Sequence, residues 1–256
     1  MPAAAEGARV DFNCDLGEGC GNDDAIVPWI TSASIACGGH AGDAGSIRAA
    51  VALCARERVA VGAHPSFEDR AAFGRRDVAL DAGAVAALVA RQVETVAVEC
   101  RRQGMPLSHV KPHGALYNRA AIDAATADAI VTAVHAHDPA LWLYALAGSE
   151  LARRGESRGL RVAHEAFAER RYEADGSLTP RSRPEATIEL LDEALAQVRQ
   201  LVVEGTVTAC TGERVPVRAD TLCLHGDRAD APAFARALRE ALHAAGVQVR
   251  APGAVH

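Results

Sequence analysis

The chain has 256 residues, 49% hydrophobic and 23% charged, with a formal net charge of −6 at pH 7. A chain of this size and balance can bury most of its apolar surface and needs no disulfide staples. The acidic balance, the lack of a basic stripe and an aromatic content of 4% exclude nucleic acids and anionic membranes as partners.

Short β-branched runs alternate with segments whose apolar residues recur at helical spacing. Strands are predicted at 9–13 and 32–37, followed by a helix that Asp43 caps and that turns Ile47, Val51 and Cys54 inward. A strand at 58–63 precedes a helix opened by Asp81, with Val85, Leu88, Val89, Val93, Val96 and Cys100 on one face. The strand at 107–111 leads to a helix opened by Asp123, with Ala127, Ile130, Val131 and Val134 inward. Strands at 141–146 and 160–164 follow, then a helix marked by Ile188, Leu191, Leu195, Val198 and Val202. Residues 206–217 read as a hairpin with its turn near Thr211 and Gly212. The strand at 221–226 and a helix opened by Asp230, with Phe234, Leu238 and Leu242 inward, complete the pattern. Asp suits these helix starts because its carboxylate accepts orphan N–H groups and complements the positive end of the helix dipole.

Strand–helix alternation without a linker or a composition break means a parallel sheet covered by helices, in one α/β domain spanning 1–256. About seven such units fit a closed or nearly closed β/α barrel slightly better than an open doubly wound sheet, with the hairpin as a small insertion over one end. No run approaches the ~18 consecutive apolar residues of a membrane span. The first ten residues lack the basic and apolar regions of a secretory leader. Seven cysteines without a C-x-x-C pair read as free thiols, which places the chain in the reducing cytoplasm.

In a parallel barrel the ligand site lies at the carboxyl ends of the strands, and here strand after strand ends in ionisable side chains. The first runs into Asn13, Asp15 and Glu18, the second into His40 and Asp43, and the third into His64. The fourth ends at Lys111 and His113, the sixth at His164 and Glu165, and the last at His225 and Asp227. A lysine closing an apolar strand must be paired or await an anion. The pattern leaves the face of His109 open. Arg75, Arg76, Arg181 and Arg183 supply cations that can meet a carboxylate or a phosphate. No G-x-x-x-x-G-K-[ST], H-E-x-x-H or G-x-S-x-G segment is present, which argues against a P-loop, a standard zinc protease and a serine hydrolase.

DFNCDLGEG, SASIACGGHAGD, VAVGAHPSFEDRAAFGRR, HVKPHGALYN, ALAGSELA, YEADGSLTPRSRP and DTLCLHGD occur in order from about residue 9 to about 249. Together they resemble the LamB/YcsF family of lactam-utilisation proteins, the A subunits of 5-oxoprolinase. The resemblance implies a seven-stranded β/α barrel similar to glycoside hydrolase/deacetylase folds. It also implies ATP-dependent opening of 5-oxo-L-proline to L-glutamate together with subunits B and C, with Mg²⁺ accompanying the nucleotide. Three departures stand out. The glycine-rich segment after Glu18 is short, Gly39 replaces a common aromatic and is expected to widen the site beside His40, and His164 replaces a frequent small hydroxyl residue.

Hydrolysis of an activated lactam needs a base, an acid and a stabiliser of the developing anion. Asp15, Glu165, His40, His64 and His113 are the candidate base and acid, and Lys111 the stabiliser. Asn13, Arg76, Arg183, His225 and Asp227 are the candidate substrate-binding residues. The same rim supports a rival reading in which Asp15, His40 and His64 hold a divalent metal for deacylation of a sugar or small amide. A third reading is a non-catalytic substrate-binding subunit.

Overall fold

The computed structural model describes residues 8–253. The first residues of the chain, on which the expectation about a leader partly rests, lie outside them. Among the described residues ten strands and eight α-helices are formed. The strands are β1 (Arg9–Leu16), β2 (Ser32–Ala36), β3 (Ala60–His64), β4 (Leu107–Val110), β5 (Trp142–Leu146), β6 (Arg161–Phe167), β7 (Thr206–Thr208), β8 (Arg214–Pro216), β9 (Thr221–Leu224) and β10 (Gln248–Val249). The helices are α1 (Asp23–Ile26), α2 (Ala44–Glu57), α3 (Ala82–Arg102), α4 (Gly114–Ile122), α5 (Ala124–His137), α6 (Glu150–Ser157), α7 (Leu191–Arg199) and α8 (Ala231–Ala244).

Seven parallel strands close on themselves in the order β1-β2-β3-β4-β5-β6-β9, with β9 returning to β1. Closure is carried by β9, whose Leu222 pairs in register with Phe12 of β1 and with Ala166 of β6. The fold is therefore the expected seven-stranded β/α barrel. The antiparallel β7–β8 pair is the predicted hairpin, and β10 adds a short parallel strand outside β1.

Helix starts follow local chemistry. Asp43 accepts from the backbone N–H of Gly45 and Ser46 at the head of α2, while the Ser46 hydroxyl accepts from the Asp43 N–H, a reciprocal capping box. Asp81 caps α3 through Ala84 and Asp123 caps α5 through Thr126. Asp230 departs from expectation: its carboxylate pairs with Arg228 (2.9 Å) and caps nothing. A proline in the first turn of α8 removes one orphan donor. Helices α4 and α6 were not visible as apolar stripes, being only nine and eight residues long. The chain starting at Ile188 becomes α7 only from Leu191, and its last turn, Gln200–Glu204, is π-helical.

The apolar core lies between the barrel and its helices, with Val10, Phe12, Cys14 and Leu16 of β1 wholly buried on that side. All seven cysteines are free thiols, and Cys54 and Cys100 are buried. Among the described residues no helix is long and apolar enough to cross a membrane. Inside the barrel the side chains are polar rather than the branched apolar residues usual there. Alternation along β1 turns Asp11, Asn13 and Asp15 inward, and all three are buried.

Candidate active site

Lys111, just past β4, reaches into the barrel and is the only lysine in the chain. Its ammonium lies 2.7 Å from Asp15 Oδ1 and 3.2 Å from Glu165 Oε1. It also donates to Asn13 Oδ1 (2.9 Å) and Cys223 Sγ (3.3 Å). Burial alone favours the neutral amine, but the flanking Asp15 and Glu165 carboxylates outweigh it and hold Lys111 well above the ordinary lysine range. Asp15 shows the reverse balance: burial pushes its pKa up, while His64 and Lys111 bring it well below the usual carboxylate range. Asn13 donates to Glu165 Oε1 (3.0 Å) and Thr221 Oγ1 (2.7 Å), and Tyr117 donates to Glu165 Oε2 (2.7 Å). The result is a cation fixed among acceptors at the end of β1, β4, β6 and β9.

Beside it stand three histidines. His40 and His113 stack with ring centroids 3.7 Å apart, and His64 meets both edge-on. His64 Nδ1–H donates to the Lys111 carbonyl (2.7 Å), and His113 Nε2–H donates to the Phe73 carbonyl (2.9 Å). His40 Nδ1 is bonded to the Ser66 hydroxyl (2.9 Å). The opposite nitrogens converge on Glu18 Oε1, at 2.9 Å from His40 Nε2, 3.6 Å from His113 Nδ1 and 4.0 Å from His64 Nε2. Burial, with the neighbouring His64, lowers the pKa of His113 well below that of free imidazole. Burial lowers that of His40 as well, against the opposing pull of Glu18.

Glycines make room for these rings. A Cβ on Gly74 would stand 2.8 Å from His40 Cβ and 3.0 Å from His113 Cδ2, and Gly74 also adopts a positive φ of 64°. Gly39 does not widen the site as expected. A Cβ there would meet Ser66 Oγ at 2.5 Å and the Gln92 amide at 2.8 Å, so that space is filled.

The carboxyl end of the barrel opens into a cavity of about 510 Å³, with Asp15, His64, Lys111, His113 and Glu165 among the residues at its base. Tyr117, Leu146 and Phe167 line it, and Arg75, Arg170 and Arg181 supply positive charge. Arg181 donates to His225 Nε2 (3.1 Å), whose Nδ1 is bonded to the buried Glu169. Arg75 pairs with Asp227 at 2.7 Å. Arg170 donates to the carbonyls of Thr179 and Ala186, and burial lowers its pKa to about 10.

Of the residues predicted from sequence, Asp15, His64, Lys111, His113, Glu165 and His225 line this cavity. Asn13 lies beneath it, holding Lys111 and Glu165, and His40 lies behind the other two rings. Two expectations about arginines are corrected. Arg76 turns to Asp69 (2.8 Å), and Arg183 is held by Glu173 and Glu185 on the surface, so neither lines the cavity. Their neighbours Arg75 and Arg181 do. His164 is also corrected: its ring faces outward to Glu156 (3.0 Å), because it alternates with the inward Glu165. His109, left open by the sequence, points into the barrel with Nε2 3.2 Å from Ser34 Oγ. Glu18 was placed at the end of the first strand without a role, and Tyr117 and Glu169 were missed; Tyr117 follows His113 by one helical turn, the spacing that could have revealed it.

Residues 10–256 match the LamB/YcsF family. The chain belongs to that family. It is similar to a lactam utilization protein from Thermus thermophilus, at 48% identity and a TM-score of 0.89, covering 95% of this chain and 99% of the other. It also shares its fold with a putative cellobiose-phosphate cleavage protein from Enterococcus faecalis. That match has 10% identity and a TM-score of 0.57, over 95% and 97% of the two chains.

Proposed function

We propose that this LamB/YcsF chain is the lactam-opening subunit of an ATP-dependent 5-oxoprolinase, acting with B and C subunits on 5-oxo-L-proline. The observation that carries the reading is the Lys111 ammonium, locked between Asp15 and Glu165 at the base of a cavity large enough for a five-membered lactam. Membership of the family and likeness to a lactam utilization protein support the substrate class.

The γ-phosphoryl of ATP, delivered with Mg²⁺, moves to the lactam oxygen and ADP leaves. A water adds to the ring carbonyl carbon, the C–N bond breaks as nitrogen takes a proton, and a second water releases phosphate to leave glutamate. Lys111 faces the oxygen that gains negative charge, a role worth ~3–4 kcal/mol for a well-placed donor. Asp15, kept ionised, accepts the proton of the attacking water. Tyr117, kept protonated by burial and Glu165, is the proton donor for the ring nitrogen in this reading. Arg181 and Arg75, rather than Arg76 and Arg183, hold the substrate carboxylate at the mouth.

The test is ATP-dependent glutamate release from 5-oxoproline by this chain alone and with its two partner subunits. Turnover is expected only in the complete mixture, falling at least ~100-fold in Lys111→Met. Full activity in that variant, or ATP-independent turnover of an N-acyl substrate in place of lactam opening, overturns the reading.

A further inference from the structure

The far ring nitrogen of each of the three histidines is tied to a protein oxygen: His40 to Ser66 Oγ, His64 to the Lys111 carbonyl and His113 to the Phe73 carbonyl. Carbonyls only accept, so His64 and His113 carry their protons on those outer nitrogens. Their inner nitrogens, His64 Nε2 and His113 Nδ1, face each other at 3.0 Å with the Glu18 carboxylate beside them, and Asp15 Oδ2 lies 3.2 Å from His64 Nε2. Imidazole nitrogens and carboxylates converging this way call for a positive charge among them, a proton or a cation. Outer nitrogens anchored to oxygens are also the arrangement that orients histidines on a metal.

We infer that Glu18, His40, His64 and His113 form a binding site for one divalent transition-metal ion. The four candidate ligand atoms all lie within 4.8 Å of one another. Bonds of ~2.0–2.1 Å in a tetrahedral site require ligand atoms about 3.3 Å apart. The separations of 2.9, 3.0, 3.6 and 4.0 Å among these atoms bracket that value. Three imidazoles and one carboxylate suit zinc or cobalt rather than magnesium, which prefers an all-oxygen shell. The set differs from the Asp15, His40 and His64 expected from sequence. Asp15 approaches His64 (3.2 Å) but is engaged by the Lys111 ammonium at 2.7 Å, whereas Glu18 faces all three rings and is met by no lysine or arginine among the described residues. Ser66 is in turn fixed through both backbone groups by the Gln92 side chain of α3, which sets the His40 ring in place.

This inference does not depend on the lactamase reading, and its experiment measures no turnover. Untagged full-length chain is stripped with a chelator and titrated with Zn²⁺ and, separately, Co²⁺. Bound metal is counted by elemental analysis and the cobalt absorption spectrum is recorded. One ion per chain is expected, with the intense visible absorption of a four-coordinate cobalt site. Glu18→Gln and His113→Ala should weaken binding at least ~100-fold, and Ser66→Ala ~10–100-fold as the loss of an outer anchor. Asp15→Asn should still bind one ion per chain. Circular dichroism of each stripped variant separates lost ligation from lost folding. Should His113→Ala fail to fold, Glu18→Gln, which keeps size and shape, decides. Binding of less than about a tenth of an ion per chain, Glu18→Gln binding as tightly as the parent, or affinity that vanishes with Asp15→Asn would each overturn the assignment.

Discussion

Two buried polar clusters occupy the two ends of the same barrel, and they are built on opposite principles. At the amino end Asp11 accepts from the hydroxyls of Thr31 (2.6 Å), Ser32 (2.7 Å) and Thr221 (2.6 Å), and Ser32 is in contact with the Tyr144 hydroxyl at 3.0 Å. Every strong acceptor there has its donor, and the cluster is closed. At the carboxyl end Asp15 and Glu165 flank one ammonium, and Glu18 and three histidines converge beside it, next to an open cavity. Burial and charge are common to both ends. What marks the carboxyl end as a site is an excess of acceptors together with access from outside.

The widest separation between the two should appear in paired substitutions at Asp11 and Asp15. Asp11→Ala strips the buried Ser32 and Thr221 hydroxyls and the half-buried Thr31 hydroxyl of their acceptor, at about 1 kcal/mol or more each, so a loss of roughly 3 kcal/mol is expected. For a chain of this size that lowers Tm by about 6–12 °C, with turnover per folded molecule unchanged. Asp15→Asn should instead be read in turnover, which drops at least ~100-fold in the reconstituted complex beyond any loss of folded protein. Thermal melts and activity measured on the same preparations check both. Equal effects of the two substitutions on Tm and turnover would erase the distinction between the ends.

A smaller effect probes the layer between them. His109 lies flat on Tyr144, with ring centroids 4.1 Å apart, and its side chain fills the space above Gly62. A Cβ on Gly62 would stand 2.1 Å from His109 Nε2, so Gly62→Ala should cost ~1–3 kcal/mol by overpacking. Adding His109→Ala opens the space again. The double variant should therefore be more stable than the sum of the singles, a coupling that denaturant melts can read.

The sequence made the barrel legible because its evidence was periodic: Asp43, Asp81 and Asp123 capped helices with clear apolar stripes. It misplaced features where no period exists. Arg75 and Arg76 are adjacent in an irregular loop, and only the turn at Gly74 decides which one faces the cavity. The strand at 160–164 runs on to Phe167, so of the pair His164 and Glu165 read at its end only Glu165 faces the cavity. Glu18 lies beyond the end of its strand, where alternation no longer predicts direction. The polarity of the interior escaped notice for a different reason. Asp11, Ser32 and Thr221 alternate with apolar neighbours just as solvent-facing residues would, and only barrel closure turns that face inward.

The smallest expected effect is in acid titration, and it again has opposite signs at the two ends. Burial raises the pKa of Asp11, its hydroxyl partners offsetting only part of that. For a carboxyl raised above its unfolded value of about 3.9, the contribution to stability is complete at low pH and is lost as pH climbs through the folded pKa. Asp227 at the rim is pushed up by burial too, but the hydrogen bond from Arg75 and the charge of His225 bring it below the ordinary range. Its contribution is complete above about pH 3.9 and is lost as pH falls through the lower folded value. The stability gap between parent and Asp227→Asn should therefore narrow as pH drops below about 4. The deficit of Asp11→Asn should instead shrink as pH rises above about 4. Urea melts of the three proteins from pH 3 to pH 7 would show it, and parallel pH profiles would mean that the two carboxylates sit in equivalent surroundings after all.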